Sequence, residues 1–105
     1  MTEKPFAVTG IAYAKPERVA ELKTILLDLS SRARTEDGCL EFHVNADRND
    51  PNVLVFYEAW RSEEDINRHL AQPYMTAFME GRMRYLDRDV EIRMLSVESP
   101  YPGRS

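Results

Sequence analysis

Residues 53–60 read Val53-Leu54-Val55-Phe56-Tyr57-Glu58-Ala59-Trp60. The run is rich in β-branched and aromatic residues. It lies between the turn-forming cluster Asp47-Arg48-Asn49-Asp50-Pro51-Asn52 and Ser62, so it predicts a strand. Alternate side chains of a strand face opposite sides. Val53, Val55, Tyr57 and Ala59 therefore share one face, and Leu54, Phe56, Glu58 and Trp60 the other. Both faces are largely apolar. An antiparallel sheet covered by helices on one side turns a polar face to water when it stands alone. This strand has no polar face to turn. An exposed sheet of that character exceeds what soluble monomers present. The expectation is a sheet covered by helices on one side and by a second copy of the chain on the other.

Working backward, residues 39–46 alternate, with Leu40, Phe42, Val44 and Ala46 opposite Cys39, Glu41, His43 and Asn45. With the turn cluster, residues 39–60 form a hairpin. A turn closing near residues 47 and 52 gives an odd register. It puts Glu41, His43 and Asn45 beside Phe56, Glu58 and Trp60, on a mixed cleft face suited to a small molecule. Leu40, Phe42 and Val44 then join Val53, Val55 and Tyr57 on the dimer face. Upstream, Pro16 suits a first helical turn, and Val19, Leu22, Leu26, Leu29 and Ala33 follow helical spacing. The helix spans about 16–36 and ends toward Gly38. Residues 5–14 are apolar and β-forming, a first strand in which Gly10 marks a bend or a close approach.

Downstream, Ser62 caps a helix whose first turn holds Glu63, Glu64 and Asp65, with Ser62 and Asp65 at capping-box spacing. Pro73 breaks and restarts it. Met75, Phe78, Met79 and Leu86 give the second piece its apolar face, and residues 89–97 alternate again, with Val90, Ile92 and Met94 on one side. The order β-α-β-β-α-β predicts an α+β, ferredoxin-like fold: a four-stranded antiparallel sheet with helices on one face. The chain reads as one domain, 1–105, with its core over about 5–97 and a tail at 98–105 placed to lie on a partner.

The 105 residues carry a net charge of −4, ten aromatics and 43 % apolar residues. That is one domain's length, with enough apolar content to disfavour disorder. The acidity excludes a protein built mainly to coat nucleic acid. No run approaches the ~20 apolar residues of a membrane span, and the MTEKPF start lacks a signal-peptide pattern, so the expected location is the cytoplasm. Cys39 is the single cysteine and reads as a small buried residue rather than a reactive thiol. One Cys and two separated His do not make a structural zinc site.

Gly38-Cys39-Leu40-Glu41-Phe42, Asp50-Pro51-Asn52, Tyr57-Glu58-Ala59-Trp60 with Ser62-Glu63-Glu64, His69-Leu70 and Pro73-Tyr74 together resemble the antibiotic biosynthesis monooxygenase family, across about residues 5–97. The resemblance implies a dimeric α/β barrel in which two sheets pack together, with a ligand cleft between sheet and helices. Family chemistry includes cofactor-independent oxidation of phenols and quinols, haem degradation, and isomerisation of a phosphorylated sugar. Trp60 matches a tryptophan that lines the site of polyketide-oxidising members, while Phe56 and Ile66 replace an asparagine and a tyrosine used there. The axial histidine of haem degraders falls near Met79, so haem is not expected. His69 matches a histidine of the quinol-oxidising and isomerising relatives, and Pro73-Tyr74 stands where these often carry Pro-His.

No flavin, metal or Gly-rich phosphate motif is visible, so no bound cofactor is expected and molecular oxygen would be the co-substrate. A deprotonated phenol or hydroquinone passes an electron to oxygen if a base, an apolar pocket and groups that hold the anion are present. His69 is the leading base, its alternative a packing histidine. Trp60 is the second catalytic candidate, as a cleft wall or as core. Candidate substrate contacts are His43, Phe56, Tyr74 and Glu58. For Glu58 the stronger reading is an ion pair with Arg93; the other is a group that orients a histidine. Alternative functions are an isomerase using His69 as proton shuttle, or a binding module without turnover.

Overall fold

The computed structural model describes residues 4–100. Strand β1 (Phe6–Ala14) leads through a 3-10 turn at Pro16–Arg18 into helix α1 (Val19–Ala33). The hairpin follows as β2 (Cys39–Ala46) and β3 (Val53–Trp60). Helices α2 (Glu63–Leu70) and α3 (Pro73–Gly81), a 3-10 turn at Arg82–Arg84 and strand β4 (Leu86–Ser96) complete the fold. The strands make one antiparallel sheet in the order β2-β3-β1-β4. This is the ferredoxin-like arrangement, with its second crossover helix broken in two. Residues 101–105 of the expected tail lie outside the described residues.

Helix α1 buries Leu22, Leu26, Leu29 and Ala33, the stripe its spacing predicts. They pack on the helix-facing side of the sheet. One half of the core joins Ala12, Ala14, Leu54, Met75 and Leu86 to α1, and the other joins Val8, Ala33, Phe42, Trp60 and Ile66. Leu86 thus serves the core from the start of β4 rather than from a helix. Gly10 sits opposite Phe56 in the sheet, and a Cβ on it would fall 2.0 Å from the Phe56 ring. The close approach read from the sequence is therefore the far end of the Phe56 ring against the glycine.

The hairpin register corrects one expectation. Ala46 pairs with Leu54, Val44 with Phe56 and Phe42 with Glu58, an even register. Asp47 sets it. Its backbone N–H donates to the Val53 carbonyl at 3.0 Å, and its carboxylate accepts from the N–H groups of Asn49 and Asp50. Closure is therefore between 47 and 53, one residue beyond the expected turn, and every β2 side chain changes face. Phe42 and Val44 point at the helices with Phe56 and Glu58. Glu41, His43 and Asn45 point away with Val55, Tyr57 and Ala59. A bulge between Cys39 and Glu41 returns Cys39 to the helix side, against the core near Trp60.

Candidate functional site

Between sheet and helices lies a cavity of about 260 Å³. Its walls are apolar side chains of every layer: Val8, Phe42 and Phe56 from the sheet, Leu26 and Leu29 from α1, Ile66, Met75, Phe78 and Met79 from α2 and α3, and Val90, Ile92 and Met94 from β4. One lining residue is charged: Glu58, which is 5 % exposed. The β3 alternation puts its carboxylate on the helix side.

The expected Glu58–Arg93 ion pair does not form. Arg93 stands opposite Thr9 on the other face of the sheet. Glu58 instead accepts a hydrogen bond from the Trp60 indole N–H at 2.8 Å, two residues along the same strand face. Burial pushes the Glu58 carboxyl up. The indole N–H works against this and the Glu36 carboxylate adds to it, leaving Glu58 at about 7.

Behind Glu58, the fully buried rings of Trp60 and His69 lie 4.4 Å apart between centroids, tilted by 30°. His69 comes from the last turn of α2. That helix is positioned by its N-terminus. The Ser62 hydroxyl accepts from the Asp65 N–H at 3.2 Å, the N-cap bond expected from the sequence, and donates to the Asp65 carboxylate at 2.8 Å. Arg61 holds the same carboxylate through two hydrogen bonds of 3.0 Å. Gly38 lets the preceding loop pass close by, since a Cβ there would sit 2.4 Å from the Asp65 Cβ.

His69 Nδ1 is 2.8 Å from Glu36 Oε2, and Tyr74 donates its hydroxyl proton to that same oxygen. His69 Nε2 is buried without a hydrogen-bond partner, 3.7 Å from Glu58 Oε1. Burial, and then the bond to Glu36, push the Tyr74 phenol upward, so it stays protonated and donating. Glu36 owes its position to the turn after α1: its N–H donates to Ala33 and its carbonyl accepts from Cys39. The break before Pro73 brings Tyr74 back toward His69.

The structure therefore brings together five of the six candidates. Phe56 and Glu58 line the cavity. His69 and Trp60 stand one layer behind Glu58. Tyr74 lines a separate, open polar cleft with Glu36, Arg32, Ser31, Thr35 and Gln72. His43 is elsewhere: the even register puts it on the outer face, where it is paired with Glu41 at 3.0 Å. Cys39 is a quiet thiol, held up at about 11 by burial and by the charges of Glu58 and Glu36. Glu36 is the residue that sequence reading missed. One signal was available. Glu36 and Asp37 follow the C-terminus of α1, where the helix dipole disfavours acids. Among the described residues there is no cluster of three or more His, Cys, Asp or Glu suited to a metal ion, and no helix long and apolar enough to cross a membrane.

Known proteins resemble both the sequence and this architecture. The protein sll1783 of Synechocystis, an uncharacterized protein, is 25 % identical over 95 residues; the match covers 90 % of this chain and 65 % of the cyanobacterial one. The crystal structure of PA3566 from Pseudomonas aeruginosa superposes with a TM-score of 0.86 at 25 % identity, covering 94 % of this chain and 99 % of that one. Rv0793 from Mycobacterium tuberculosis gives a TM-score of 0.87 at 22 % identity, over 93 % and 99 % of the two chains. The family model described as antibiotic biosynthesis monooxygenase matches residues 5–81. With most of its length matched, from β1 through α3, this chain belongs to the antibiotic biosynthesis monooxygenase family.

Proposed function

We propose that the chain is a cofactor-independent monooxygenase acting on a small, uncharged phenol or hydroquinone. The observation that carries this reading is a single buried carboxyl group set in an otherwise apolar cavity, which pushes its pKa up to about 7. Such a group is ionised enough near neutrality to accept a phenolic proton and more basic than an ordinary carboxylate, so the transfer is less uphill. The apolar walls suit a flat aromatic ring, with Phe56 among them. The indole N–H at Glu58 orients the carboxylate.

The chemistry closes without a bound group. A hydroquinone and dioxygen give a hydroxylated quinone and water. The ring gives up four electrons. One oxygen atom enters the ring and the other leaves as water. The ring gives up a proton to Glu58 when the anion forms, and a proton is taken up from solvent when the intermediate hydroperoxide loses water, so the overall reaction releases none. Isomerisation of a phosphorylated sugar fits less well, because the cavity lining carries no Lys or Arg to meet a phosphate.

The working unit in this proposal is a homodimer joined through the outer sheet face. Ile11 and Val55 pair there beside Thr9 and Tyr57, over the small, buried Ala7 and Ala59. The cytoplasm is the proposed location.

The test is enzyme-dependent oxygen uptake with one-ring and two-ring hydroquinones, corrected for autoxidation. Turnover with at least one of them, cut at least tenfold by Glu58→Gln, is the expected result. No uptake across the panel sinks the oxidative reading. Wild-type rates in Glu58→Gln remove Glu58 as the base. Tight binding without uptake would instead favour a binding module.

A further inference from the structure

The fully buried His69 is in contact with two carboxylates, on opposite sides of its ring. Glu58 faces the apolar cavity. Glu36 faces the open polar cleft it shares with Arg32, Gln72 and Tyr74. The cavity and the cleft share no lining residue, and the imidazole stands between the two carboxylates.

We propose that Glu36 is a relay residue that completes a proton path from the cavity to the surface cleft, Glu58 to His69 to Glu36. Tyr74 donates to Glu36, so the remaining bond at that oxygen is filled by a proton on His69 Nδ1. His69 Nε2 is then a lone pair, buried without a hydrogen-bond partner and 3.7 Å from Glu58 Oε1. A lone pair with no donor in a dry interior is costly, and here it is the atom that receives the proton. A proton collected by Glu58 from a ligand passes to Nε2 when the 3.7 Å gap closes. The Nδ1 proton moves to Glu36 in the same event. The imidazole is neutral before and after, one N–H bond having formed and one having broken. Arg32, whose guanidinium lies 5.9 Å from the Tyr74 ring centre, is the cation that faces this exit.

The path depends on the oxidative reading only for the source of its protons, so the primary test needs no substrate. The chain has two histidines, and His43 is exposed, which makes the ring signals of His69 assignable by nitrogen-15 NMR. In the wild type the His69 ring is expected to carry its proton on Nδ1 and to exchange it with water fast for a buried group. In Glu36→Gln the acceptor remains but cannot carry a proton, so exchange should slow at least tenfold. An anchor without relay function predicts the opposite sign, because a weaker hydrogen bond frees the ring and quickens exchange. Unchanged or faster exchange in the variant overturns the proposal. So does a wild-type ring protonated on Nε2, and that measurement stands even if the variant does not fold. If hydroquinone turnover is found, Glu36→Gln should lower kcat with KM unchanged, and added formate, reaching the open cleft, should restore it. If no turnover is found, the oxidative reading falls and the exchange measurement still judges the relay.

Discussion

Glu58 is the charged residue that lines the apolar cavity, and its placement has a thermodynamic signature. Its carboxyl is raised from an ordinary 4.5 to about 7, first by burial. A group with a raised folded pKa contributes stability fully below its unfolded value and loses that contribution as pH rises through its folded value. The window is therefore about 4.5 to 7, and the full shift corresponds to roughly 3 kcal/mol. Urea unfolding at pH 5 and pH 8 checks it. Glu58→Gln should remove most of the fall in stability that wild type shows between these two conditions. An identical pH dependence in the two proteins would contradict the buried carboxyl. Asp65 acts in the other direction. Hydrogen bonding to Arg61 first, and to Ser62 and Arg68, holds it below the usual carboxylate range, so its contribution is lost as pH falls. The two effects separate because the comparison is between proteins that differ only at residue 58.

At the scale of elements, α2 is a helix of eight residues, too short to be stable alone. Its start carries it, through Ser62 and the Asp65 network. Ser62→Ala should cost about 1 kcal/mol of stability and should broaden the NMR signals of His69 at the other end of the same helix; a variant as stable as wild type would show that Arg61 and Gly38 suffice. The elements themselves were legible in the sequence because each has a local cause: the helical stripe from Leu22 to Ala33, the Pro73 break, the alternation in β3. The hairpin register was not. It depends on whether Asp47 bonds across to Val53, a one-residue matter inside a turn of polar residues, and that choice moved His43 from the cleft to the outer face. Glu36 escaped for a similar reason. Its contacts with His69 and Tyr74 span 33 and 38 positions of chain, and no periodicity links a post-helical turn to two later helices. Phe56, Glu58, Trp60 and His69 were found because strand parity and the helix face place them together without any long-range knowledge.

For the molecule as a whole, the outer sheet face sets the expected assembly. Ile11→Asp places a charge at the centre of that face, opposite Val55. It should convert the dimer to a species of one 12.2 kDa chain in light scattering, with far-UV circular dichroism retained. A wild type that already scatters as a single chain at micromolar concentration would reject the proposed assembly. The hydrogen bond from Trp60 to Glu58 has a separate consequence. Trp60 is the only tryptophan in the chain, so all of the protein's indole emission comes from a ring bonded to the cavity carboxylate and tilted against His69. The protein thus carries a built-in optical probe of its own cavity. Fluorescence followed against pH should turn over near 7 in wild type and stay flat through that range in Glu58→Gln. A ligand that reaches the carboxylate should change the emission at once, which gives a dye-free screen for compounds that enter the cavity.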